Sequence, residues 1–181
     1  MIKPYPRCYW VEPSKLLAGY YPGDVKEKKA YKKIQSLLKC GIQCFINLTD
    51  ENETNQYGNY FVPYNYVLND VSGKLGIESV YMKIPIIDQK ITNVRTMQFI
   101  LDTIDNAIKN NLGVYIHCWG GIGRTGTIVG CWLIRHGKAN KDNVLDIISG
   151  FRKDQNEPEA FREAPETQIQ KDFIKNWKEG Q

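Results

Sequence analysis

Long apolar runs are missing: no stretch of the 181-residue sequence reaches the roughly 18 consecutive apolar residues that a membrane-spanning helix requires. Met1 to Trp10 is broken by charges and prolines where a signal peptide would be apolar, so neither insertion nor secretion is expected. Histidine is scarce, and the five cysteines, at positions 8, 40, 44, 118 and 131, include no CxxC pair, which argues against a zinc site. Their odd number and irregular spacing also fit no common disulfide framework, so a reduced, cytoplasmic protein is expected. Repeats, low-complexity tracts and Gly/Ser linkers are absent as well, which leaves a single domain over residues 1–181. The net charge of +4 favours an anionic substrate slightly but is too diffuse for nucleic acid, and a monomer without nucleic-acid or membrane partners is expected.

What is present is a regular alternation of elements. A short strand is predicted around Lys15 to Tyr20, closed by Pro22-Gly23. Ala30, Ile34, Leu37 and Leu38 recur at helical spacing between Val25 and Lys39, and Gly41 ends that helix. Ile42 to Leu48 reads as a buried strand and Ser79 to Ile87 as another. Between them, Thr49 to Lys74 is polar and tyrosine-rich with no clear period, and reads as a long loop. Its segment Tyr57 to Tyr66 suits either stacking on a substrate or packing on the sheet. Thr92 can cap a helix whose inner face is Val94, Met97, Ile100, Leu101, Ile104 and Ile108. Val114 to Cys118 is a strand, an apolar helix after the glycine-rich turn runs through Ile128, Cys131, Trp132 and Ile134 to Gly137, and two further helices fit Lys141–Phe151 and Thr167–Trp177. The expected class is α/β, with a mainly parallel sheet of about four to five strands flanked by helices on both sides.

The chemistry concentrates in His117-Cys118-Trp119-Gly120-Gly121-Ile122-Gly123-Arg124-Thr125-Gly126. A cysteine ends a strand, a glycine-rich loop follows, and an arginine stands at the start of a helix. Backbone N–H groups of such a loop, joined to those of a helix N-terminus, form an anion-binding concavity. The same field, with a nearby guanidinium, favours a thiolate and predicts a nucleophilic Cys118. The planar Arg124 side chain can hold two phosphate oxygens at once. Gly121 to Gly126 also matches the dinucleotide fingerprint G-x-G-x-x-G, but too little chain follows for a second mononucleotide-binding half. No G-K-[ST] is present, which excludes a Walker A loop. A merely buried cysteine beside a tight turn would leave Arg124 and the clustered glycines unexplained.

These residues resemble the H-C-x5-R-[ST] loop of the protein tyrosine and dual-specificity phosphatase superfamily. Leu16 to Pro22 is similar to the early strand and turn of dual-specificity enzymes, and Ile84-Pro85-Ile86-Ile87-Asp88 looks like the loop carrying their general acid. The resemblance runs from about Trp10 to Trp177 and implies the cysteine-phosphatase fold, no cofactor and no metal. It implies that Cys118 attacks phosphorus while Arg124 and the amides of Trp119, Gly120, Gly121, Ile122 and Gly123 hold the phosphoryl oxygens. Asp88 would protonate the leaving oxygen and then activate water, with Asp70 and Asp102 as fallbacks; an ordinary loop carboxylate is the alternative for Asp88. Thr125 would stabilise the departing thiolate.

His117 matches the histidine that supports the loop, although a plain core histidine fits equally. Glu166 to Phe173 resembles the Q-T-x-x-Q-x-x-F stretch whose glutamines orient water; Glu166 replaces the first and Gln170 matches the second, with a solvated helix face as the alternative. The implied activity is hydrolysis of phosphotyrosine in a phosphorylated protein, with phosphoserine and phosphothreonine as further substrates. Inositol phosphates, RNA 5′ ends, or phosphoprotein binding without catalysis are the other readings.

Overall fold

The computed structural model describes residues 3–55, 57–153 and 162–181. Its strands are β1 (Cys8–Glu12), β2 (Leu16–Gly19), β3 (Ile42–Asn47), β4 (Val80–Lys83) and β5 (Gly113–His117). The helices are α1 (Glu27–Lys39), α2 (Asn65–Leu75), α3 (Val94–Lys109), α4 (Gly123–Arg135), α5 (Val144–Lys153) and α6 (Gln168–Lys175). The strands form one five-stranded sheet in the order β1-β2-β5-β3-β4, parallel except for the β1–β2 pair.

Alternation along each strand divides the core in two. Leu16, Ala18, Cys44, Ile46, Val114 and Ile116 join one apolar cluster with residues of α3, α4, α5 and α6. Leu17, Phe45 and Tyr115, the residues between them, join a second cluster with α1 and α2. The α/β class and the helices on both faces thus stand as expected.

β5 lies between β2 and β3, and the crossovers to either side of it run on opposite faces: α1 links β2 to β3, whereas α3 links β4 to β5. This is a topological switch point, where an open parallel sheet leaves a crevice beyond the carboxyl ends of its strands. The segments following β2, β3, β4 and β5 converge there.

Five local expectations change, one of them that of Val94, expected on the inner face of its helix but 46% exposed. β1 was not anticipated; it pairs antiparallel with β2 across a register shift between Trp10 and Glu12. The expected loop Thr49–Lys74 contains α2, which forms because Val67, Leu68 and Val71 are buried against α1 and the sheet, a tertiary gain that outweighs a weak local pattern. The strand expected over Ser79–Ile87 is regular only over Val80–Lys83. Pro85 has no N–H to offer, and beyond β4 only single bonds continue, from Ile84 N to the Asn47 carbonyl (2.9 Å) and from Ile86 N to the Leu48 carbonyl (3.0 Å). α3 is capped by Asn93, whose Oδ1 accepts from Thr96 N at 2.8 Å, rather than by Thr92.

Candidate active site

β5 ends at His117, and the next five residues turn before α4 begins at Gly123. The turn is possible because Gly121 has φ +71° and because a Cβ there would lie 2.5 Å from the Gly19 carbonyl, so backbone and space both demand glycine. The Gly121 N–H points back at Cys118 Sγ, 3.3 Å away. Cys118 is buried at the floor of the loop.

Arg124, in the first turn of α4, is 2% exposed and directs its guanidinium across the ends of β3 and β4. Nη1 donates to the carbonyls of Ile86 (3.0 Å) and Leu48 (3.4 Å). Glu53 takes the fork bidentately, with Nη1–Oε2 and Nη2–Oε1 both at 2.6 Å, while Asp88 Oδ1 lies 2.9 Å from Nη2. Burial by itself would lower the guanidinium's pKa, but the Glu53 hydrogen bonds and the charges of Cys118, Glu53 and Asp88 raise it overall, so Arg124 is a fixed cation. Among the described residues, Arg124 Nε and Thr125 Oγ1 are buried without a hydrogen-bond partner. An unpaired buried donor is costly, and an anion seated in the loop would satisfy Nε.

Glu53 was not anticipated. It sits six residues beyond β3 and 71 positions from Arg124, and the only trace of it in sequence is the acidic run Asp50-Glu51-Asn52-Glu53 after a buried strand. The two carboxylates on the guanidinium differ. Glu53 uses both oxygens on Arg124, and its Oε2 also accepts from Asp50 N at 3.1 Å, so it is committed to holding the arginine. Asp88 offers one oxygen only, and its side chain is 56% exposed at the mouth of the site. The fallback carboxylates lie elsewhere: Asp70 pairs with Lys74 on α2 and Asp102 with Arg135.

His117 is fully buried and makes two hydrogen bonds. Its Nδ1 lies 3.1 Å from the Cys118 carbonyl, which can only accept, so Nδ1 carries the proton and Nε2 accepts from Tyr64 Oη at 2.6 Å. Burial lowers the imidazole's pKa to about 3, against the partial support of the Cys118 carbonyl, and the Arg124 charge lowers it further. The neutral ring thus links Tyr64 to the Cys118 peptide. Tyr64, supplied by the segment entering α2, is a second residue the sequence did not single out.

Because the folded ring resists a proton that the unfolded ring accepts near pH 6.5, its contribution to stability is complete above about pH 6.5 and is lost as pH falls toward 3. The expected slope approaches about 1.4 kcal/mol per pH unit below 6.5. Urea midpoints measured between pH 7 and pH 5 check this: wild type should decline over that interval and His117→Gln should decline less.

Gln170 is completely buried, which removes the solvated-face alternative for it. Its Oε1 accepts from Glu166 N and Thr167 N (both 3.2 Å), completing a capping box at the start of α6. Its Nε2 donates to the Lys90 carbonyl at 3.2 Å, and Thr167 Oγ1 donates to the Gln89 carbonyl at 3.3 Å. α6 thereby grips the segment immediately after Asp88. A Cβ on Gly123 would meet Glu166 Oε2 at 2.6 Å and the Gln170 amide at 3.0–3.1 Å, so the same helix end abuts the start of α4. Glu166 itself pairs with Arg162.

The tyrosine-rich segment packs partly into the core and partly on the cysteine loop. Tyr64 is buried on His117, whereas Phe61 stacks on Trp119 at 4.0 Å with planes 11° apart and Tyr57 and Tyr60 stay exposed.

Comparison with known proteins agrees with this architecture. The Tk-PTP crystal structure in its active form superposes with a TM-score of 0.67 at 22% identity, covering 94% of this chain and 95% of that one. The core catalytic domain of the PP-IP phosphatase of S. cerevisiae, in complex with citrate, gives 0.62 at 16% identity over 96% and 87%. At these identities the likeness is one of fold. Human dual specificity protein phosphatase 9 is 26% identical over 137 residues, which is 75% of this chain but only 30% of that relative's length. Residues 22–138, from the turn after β2 to the end of α4 and including the whole cysteine loop, match the family model described as the polymorphic toxin system DSP-PTPase phosphatase, and the chain belongs to that phosphatase family.

Proposed function

We propose that the chain hydrolyses phosphotyrosine in phosphorylated proteins, with phosphoserine and phosphothreonine as further substrates, through a phosphocysteine intermediate and without a metal. The observation that carries this reading is the pairing of Cys118, which faces the Gly121 N–H, with Arg124, whose buried Nε lacks a partner beside the same loop. A phosphoryl group in the loop would take Nε and Nη2 and the amides of Trp119 to Arg124, displacing Asp88 from Nη2 into the mouth of the site.

In the first step the Cys118 thiolate forms a bond to phosphorus, the bond from phosphorus to the leaving oxygen breaks, and Asp88 gives that oxygen its proton. In the second, water attacks the phosphocysteine, Asp88 recovers a proton, and the thiolate departs with inorganic phosphate released. Thr125 is assigned to stabilising that departing thiolate, His117 to holding the Cys118 peptide, and Gln170 to fixing the Asp88 segment relative to α4. All five cysteines are free, which suits a reducing, cytoplasmic compartment.

The protein substrate is favoured over inositol phosphates because Trp119 to Gly123 contain no lysine or arginine to meet further phosphates. The test is a panel of phosphotyrosine peptide, phosphothreonine peptide, inositol phosphates and triphosphorylated RNA, assayed with and without a chelator. Phosphotyrosine peptide is expected to show the highest kcat/KM, unchanged by the chelator. A preference for inositol phosphates or RNA ends would overturn the assignment of substrate.

A further inference from the structure

Beside the phosphate loop lies a cleft of about 460 Å³. Trp119 and Gly120 belong to both, but Cys118, Arg124 and Asp88 do not line it. A group in the cleft would therefore lie beside the phosphate loop and not over the Cys118 thiol.

One wall is already built. Phe61 stacks on Trp119, and Tyr21 packs against both rings, with centroids 5.3 Å from Phe61 and 5.9 Å from Trp119. Backbone bonds hold it: Tyr21 N donates to the Trp119 carbonyl at 3.0 Å, and Tyr21 Oη donates to the Val62 carbonyl at 2.9 Å. Thr54 and Tyr60 pair in an isolated antiparallel bridge, and Tyr57 (78% exposed) and Tyr60 (68% exposed) line the cleft as well. Aromatic rings so exposed beside a preformed ring wall are a surface awaiting a partner.

The cations that line the cleft each have a neighbour: Lys33 pairs with Asp24 at 3.2 Å, Arg162 pairs with Glu166, and Arg7 lies 4.4 Å over the Tyr20 ring. The exposed rings of Tyr57 and Tyr60 add an aromatic surface to this lining.

Resting on the protein-phosphatase reading above, we propose that this cleft is a specificity subsite for a large aromatic or apolar side chain flanking the phosphotyrosine of the substrate polypeptide. The chain then selects substrates by a neighbouring residue as well as by the phosphate.

The test uses phosphotyrosine peptides that are identical except for Phe or Ala, scanned through the three positions on each side of the phosphotyrosine. Wild type is expected to favour Phe about tenfold in kcat/KM at one flanking position, equivalent to about 1.4 kcal/mol. In Tyr57→Ala/Tyr60→Ala, two exposed positions, the Phe/Ala ratio measured on that same variant should fall to near one. A ratio near one at every position in wild type, or an undiminished ratio in the variant, overturns the subsite while leaving the protein-phosphatase reading intact. Turnover of aryl phosphate with no turnover of any phosphopeptide overturns both.

Discussion

Cys118→Ser is expected to lose turnover by on the order of 10⁵-fold or more while still binding phosphate, because the proposed mechanism assigns the attack to the thiolate and the anion binding to the loop amides and Arg124. The serine hydroxyl is a weak nucleophile without a base to activate it, and the one titratable ring next to it in sequence, His117, has its Nδ1 proton engaged on the Cys118 carbonyl. The cradle depends on other atoms. Gly121 keeps its φ of +71°, α4 still starts at Gly123, and Arg124 is held by Glu53 and by the carbonyls of Ile86 and Leu48. Serine also fits the space of cysteine, so the buried cluster to which Cys118 contributes stays filled. Calorimetric titration with phosphotyrosine peptide and a turnover assay on the same preparation check the two halves. Normal turnover in the serine variant would remove the covalent mechanism; loss of both turnover and binding would mean that the thiolate, and not the loop, supplies the affinity.

Asp88→Asn carries the second large effect, and its diagnostic is the dependence on leaving group. Asparagine cannot give up a proton, so substrates with poor leaving groups, such as phenyl phosphate, should slow by about 10²–10⁴-fold, whereas activated aryl phosphates, which need no protonation, should slow far less. Glu53→Gln supplies the contrast, because Glu53 touches the same guanidinium at 2.6 Å with both oxygens. Losing that clamp leaves a buried cation short of its partner and should depress turnover of all leaving groups alike. Plotting rate against leaving-group pKa for both variants separates a proton donor from an electrostatic brace. If Asp88→Asn lowers every substrate equally, Asp88 acts only through Arg124, and the general acid must be sought elsewhere.

The comparison of these two carboxylates shows what sequence can and cannot reveal. Asp88 could be picked out because it closes an apolar run, Ile84-Pro85-Ile86-Ile87, at a family-like distance from the loop. Glu53 had no such frame. It reaches Arg124 because β3 and β5 are parallel neighbours, with Asn47 in register with His117, so that both chains leave the sheet side by side. The same holds for Tyr64 and His117, which are 53 positions apart. α2 was hidden for a related reason: its apolar residues are few, and burial against α1 and the sheet makes the helix stable where propensity alone would not. By contrast α1, α3 and α4 carry dense apolar faces and were legible within a few residues of their observed bounds.

The cysteine loop itself was readable from sequence because its chemistry is local: strand end, glycines, arginine and helix start are contiguous from His117 to Gly126, and backbone geometry alone joins them. Tertiary structure decided everything that faces the loop. Which carboxylate holds Arg124, which ring fixes the His117 proton, which helix end secures the segment after Asp88, and where the aromatic cleft opens all follow from strand order, and strand order is set by burying both faces of the sheet at once.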